Sequence, residues 1–130
     1  MKTLLVFLFI VFAYLSCAQA QNRLANTAWQ GQVNAPDLTN VIFHFKADSV
    51  YMYIAPDMFI GETMAYTTES NTLKWRKTSG NSPCDTKTTG TYQFAIKDDE
   101  LTIKLIADDC PARKEAWMDK PFKKVAIPVK

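Results

Sequence analysis

Residues Gly90 to Arg113 read GTYQFAIKDDELTIKLIADDCPAR, and this stretch decides the fold. With the turn placed at Asp98-Asp99, Ile96 faces Leu101, Phe94 faces Ile103 and Tyr92 faces Leu105. Successive side chains of a strand point to opposite faces, so all three apolar pairs fall on one face, as a β-hairpin with one buried side requires. The hairpin runs on into Cys110, Pro111 and Arg113, and Cys84 precedes its first strand. Both cysteines therefore belong to its open end.

Working outward, the same period recurs. Val41 to Lys46 and Ser49 to Ala55 form a hairpin around Ala47-Asp48, pairing Phe45 with Val50, Phe43 with Met52 and Val41 with Ile54. Glu62 to Thr67 and Leu73 to Lys77 form another around Ser70-Asn71. Trp29 to Val33 is the first strand and Phe122 to Val129 the last, with Pro128 arguing for an end or a bulge there. Eight strands at spacings of about 8–12 residues, with Asp, Ser, Asn and Gly in the turns, indicate an all-β sandwich or barrel. The one helical signal is short: Asp109 or Cys110 can cap about two turns from Pro111 to Met118. Three local hairpins in a meander close most simply as a single antiparallel up-and-down barrel of about eight strands, which removes exposed edges. A barrel of that size is filled by side chains or holds one small ligand. The inward set is Phe43, Phe45, Met52, Met64, Tyr66, Trp75, Tyr92 and Phe94, rich in aromatics and thioethers.

The ends and the cysteines bear on compartment. Lys2 followed by an apolar run from Leu4 to Leu15, then Ala18-Gln19-Ala20, reads as a secretory signal peptide over residues 1–20, with the barrel domain over 21–130. The apolar run of about twelve residues is short of the roughly 20 needed to span a membrane. An alternative is lipidation at Cys17, since Leu15-Ser16-Cys17 loosely resembles a lipobox; a membrane association would follow only in that case. Either reading leaves Cys84 and Cys110 as an even pair in an exported chain, periplasmic or secreted, so a disulfide between them is expected. It closes a loop of about 27 residues, worth roughly 3–4 kcal/mol in the chain-entropy view.

Charge and motifs narrow the function classes. The chain carries 15 basic and 13 acidic residues. This balance argues against nucleic acid as a partner, and the basic runs Lys74 to Lys77 and Lys120 to Lys124 read as solvated strand faces. His44 is the lone histidine and has no ligand-spaced companions, so no metal and no organic cofactor are expected. No nucleophile elbow, H-E-x-x-H or C-x-x-C motif occurs, and the expected disulfide would occupy both thiols of the domain; an enzyme is not expected. Asp108-Asp109 reads as a helix cap and dipole partner rather than an acid–base pair. His44, Tyr51 and Tyr53 alternate with inward residues and should form an outward row.

The run Gly90-Thr91-Tyr92, Asp98-Asp99-Glu100-Leu101-Thr102-Ile103 and Asp108-Asp109-Cys110-Pro111-Ala112-Arg113 resembles that of exported bacterial lipocalin-like domains, over about the last third of the chain. The resemblance implies a binding barrel, with Trp29 plugging the base and Arg113 stacked against it; Thr27 stands where that family has a glycine. Two functions follow as expectations. The first is binding of a small apolar or amphipathic molecule inside the barrel, with Met58 and Phe59 of the Pro56–Gly61 loop capping the cavity. The second is a protein-binding module of the cell envelope, an inhibitor or assembly factor with a filled barrel, reading its partner through that loop or through an extended arm at Gln21 to Thr27.

Overall fold

A computed structural model describes residues 22–129. The expected signal peptide and Cys17 lie outside the described residues. Eight strands follow in chain order: β1 (Thr27–Asn34), β2 (Leu38–Phe45), β3 (Ser49–Ile54), β4 (Phe59–Glu69), β5 (Thr72–Gly80), β6 (Gly90–Lys97), β7 (Glu100–Ala107) and β8 (Phe122–Val125). A single helix, α1 (Pro111–Ala116), lies between β7 and β8. Each strand pairs antiparallel with the next, and β8 returns to β1, so the sheet is a closed up-and-down barrel.

The hairpin registers follow the apolar pattern. Ile96 meets Leu101, Phe94 meets Ile103 and Tyr92 meets Leu105 across β6 and β7. Val41, Phe43 and Phe45 meet Ile54, Met52 and Val50 across β2 and β3, and Tyr66 meets Trp75 across β4 and β5. Turn chemistry agrees: Asp98 and Ser70 adopt positive φ, and a short polar side chain tolerates that region by bonding locally. Cys84 and Cys110 are disulfide-bonded, with Cα atoms 5.6 Å apart.

Three expectations need correcting. The last strand stops at Val125 instead of Val129, because Pro128 offers no N–H to a ladder and the final pair is Ala28 with Val125. The helix ends at Ala116, not Met118. Leu105 is 41% exposed although it pairs with Tyr92, because β8 accompanies β7 only at Glu100 and Leu101 and leaves the upper flank of β7 uncovered.

The lower half of the barrel, where β1 begins and β2 ends, is solid. Phe45 lies edge-on to Tyr66 at 5.1 Å and stacks on Trp75 at 6.3 Å. Leu24, fully buried, closes this end, held by an Asn26 N–H bond to the Phe45 carbonyl (2.8 Å) and an Asn22 amide bond to the Tyr66 hydroxyl (2.9 Å). The residues from Asn22 on are therefore a base plug and not an extended arm. Trp29 is buried here, its indole N–H donating to Thr27 Oγ1 at 2.7 Å. Thr27 thus does locally what a glycine could not.

Gly31 of β1 is required by close approach, since a Cβ there would come within 2.3 Å of the Phe122 ring. Replacing Gly31 with Ala should lower stability by about 1–3 kcal/mol through overpacking. Equilibrium denaturant unfolding followed by tryptophan fluorescence checks this, and an unchanged midpoint would contradict the packing.

Candidate functional site

The opposite end of the barrel is its mouth, where β1, β3, β5 and β7 finish and β2, β4 and β6 start. One carboxylate organises it. Asp108, just past β7, accepts hydrogen bonds from Arg113 Nε (2.5 Å), Arg113 Nη2 (2.8 Å) and the Cys110 backbone N–H (2.9 Å), and also from the Tyr92 hydroxyl. Arg113 Nη2 further donates to the Thr88 carbonyl at 3.0 Å. Both charged side chains are almost wholly out of solvent, at 5% for Arg113 and 0% for Asp108. Gly90 makes room for this, since a Cβ there would lie 2.3 Å from Asp108 Oδ2. The run of Gly90, Tyr92, Asp108, Cys110 and Arg113 is therefore one physical unit that ties β6, β7, α1 and the disulfide together.

Burial alone would raise the Asp108 carboxyl, but the bonds from Arg113, Tyr92 and Cys110 outweigh it and hold Asp108 below the usual carboxylate range. Burial and the adjacent carboxylate push the Tyr92 hydroxyl far above its ordinary value, so it stays a donor. Two expectations are corrected here. Asp108 is an ion-pair acceptor and not a helix cap: the cap position is Cys110, without a side-chain bond. Arg113 does not stack on Trp29, because its guanidinium is committed to Asp108 at the mouth. Among the described residues the cation–π contact is Lys46 over Tyr51, at 4.2 Å.

Above the solid half lies a cavity of about 530 Å³. Its walls include Val33, Phe43, Met52, Ile54 and Met64, and its rim includes Ala35, Pro36, Phe59 and the Asn81–Cys84 loop. Trp117, just after α1, separates the cavity from the filled core. It stacks on Trp75 at 5.0 Å and on Phe43 at 5.5 Å, and meets Tyr92 at 5.6 Å and Phe122 at 5.9 Å. Phe43 and Trp117 line the cavity, whereas Trp75, Tyr92 and Phe122 do not.

Of the residues expected to meet a ligand, Phe43, Met52, Met64 and Phe59 line this space. Phe45, Tyr66, Trp75, Tyr92 and Phe94 are buried in the core instead and do not line it. Met58 is half-buried in the turn before β4, at positive φ, and does not reach the cavity. Phe59 and Ile60 already belong to β4, so the expected apolar loop is a strand start with Phe59 at the rim. Sequence reasoning missed Trp117 and Glu62. Strand alternation could have found Glu62, which shares the inward face with Met64 and Tyr66. Nothing periodic marks Trp117.

On the outer wall, Tyr51 and His44 are half-buried and meet edge-on at 6.5 Å, while Tyr53, expected in the same outward row, is 5% exposed without joining the core cluster. Partial burial and nearby Lys46 lower the His44 value. Lys77 is also misjudged by the solvated-face reading: it is buried, with its ammonium donating to the Ser82 carbonyl at 2.6 Å.

Asp108→Asn should cost about 3–5 kcal/mol at neutral pH, because it leaves the buried Arg113 charge without its partner. The folded-state value of Asp108 is depressed, so its stabilisation is present above the ordinary carboxylate value and is lost as pH falls through the folded value. The gap between wild type and variant in urea unfolding should therefore narrow below about pH 4; a gap independent of pH would contradict the assignment. No family model, curated protein or solved structure matches this chain, so its own geometry has to carry the functional reading.

Proposed function

We propose that this chain is an exported, lipocalin-like binding protein that holds one small apolar or amphipathic molecule in the mouth of its barrel. The observation that carries this is the division of the interior. Aromatic side chains fill the lower half, and above Trp117 a cavity of about 530 Å³ with mainly apolar walls opens at the rim. Pockets for small organic ligands typically run about 300–1,000 Å³, with apolar walls and a few placed polar groups. The disulfide and the Asp108–Arg113 pair brace the rim beside this cavity, which limits the ordering cost of binding.

A second reading, a protein partner of the envelope, draws support from the rim surface. Leu38, Phe59, Leu105 and Ile106 are exposed, and each stands near the mouth end of its strand. Large apolar residues exposed at one end of a barrel offer contact points to a partner.

N-phenyl-1-naphthylamine, uncharged at neutral pH, tests the first reading. The expected result is one dye per chain with a blue-shifted emission, abolished by Met64→Trp, which places an indole in the cavity. A Leu38→Asp, Ile106→Asp double variant should keep dye binding. Failure of the folded wild type to take up dye would remove the cavity reading and leave the rim surface as the site.

A further inference from the structure

The cavity wall holds one buried carboxylate without an ion-pair partner among the described residues. Glu62 on β4 lines the cavity and is 6% exposed, yet its carboxylate makes no hydrogen bond or ion pair with a described residue. A buried carboxylate is costly unless a cation or several donors meet it. The two buried cations of the barrel are engaged elsewhere: Arg113 grips Asp108 and the Thr88 carbonyl, and Lys77 grips the Ser82 carbonyl. The other charged residues on the lining are Arg113, already matched by Asp108, and Glu115. The lining itself thus carries two carboxylates, Glu62 and Glu115, and one guanidinium that Asp108 already matches. The rings of Phe43 and Trp117 line the same space, and aromatic rings attract organic cations.

Resting on the ligand-binding reading above, we propose that the occupant is a cationic amphiphile, an organic amine whose ammonium group meets Glu62 while its apolar body lies against Phe43, Met52, Met64 and Trp117. An ammonium supplies the donors that Glu62 lacks, and the apolar walls accept a chain or ring of moderate size. A fatty carboxylate would place a second negative charge beside Glu62 and is disfavoured.

The test compares octylamine, octanol and octanoate by calorimetry and by displacement of N-phenyl-1-naphthylamine, using the full chain exported and disulfide-bonded. Octylamine should bind roughly tenfold or more tighter than octanol, the size of a charge-assisted hydrogen bond in a sheltered site, and octanoate weakest. Glu62→Gln, nearly isosteric, should bring octylamine to within about twofold of octanol, and Glu62→Asp should keep part of the preference. Dye uptake by each variant reports that the cavity is intact. Octanol or octanoate binding as tightly as octylamine, or a preference that survives Glu62→Gln, would overturn the amine assignment while leaving the cavity reading in place. Absence of dye and probe binding in the folded wild type would overturn both.

Discussion

The mouth of this barrel depends on the bond between Asp108 and Arg113. A carboxylate buried between strands is tolerable only when its lone pairs are taken, and here Arg113, Tyr92 and the Cys110 N–H take them. The consequences spread from there. Gly90 must lack a side chain, α1 must begin close enough for Arg113 to reach back, and Cys110 is brought beside Cys84. Covalent and ionic links thus converge on a few residues and fix β6, β7, α1 and the loop before β6 as one rigid rim.

That rim determines where the interior is filled. β8 is only four residues long and pairs near the base, with Ala28 to Gln30 on one side and Glu100 and Leu101 on the other. The upper wall between β1 and β7 is left to α1 and Trp117. The Trp117 indole enters the barrel from this side and seals the aromatic core, and the space above it stays open to the mouth. A longer last strand would have closed the wall and made Trp117 redundant.

Much of the fold was legible because side-chain period two is a strict constraint. The three hairpin registers follow from apolar pairs that admit no slip without turning the core outward. The site was less legible. Alternation places Phe45, Phe94, Phe43 and Met52 on the inner face alike, yet it says nothing of height along the barrel, and height decides whether a residue packs in the core or borders the cavity. Trp117 follows a six-residue helix and has no period to betray it. Arg113 matched a family role at the base, but its actual partner is set by Asp108, five residues away, a local geometry that outweighs the distant analogy. The base plug at Leu24 was missed because a single apolar residue in a polar stretch carries no pattern.

The short last strand has a kinetic consequence. Closing the barrel joins Ala28 to Val125, contacts separated by nearly the whole described chain, through only three residue pairs. Such closure carries the largest loop entropy of any strand pairing for a small return. The hairpins can form early and locally, but the β1–β8 seam should zip last and open first. The chain ends that meet there, with the base plug just before β1, then form the least protected unit of an otherwise tightly braced barrel.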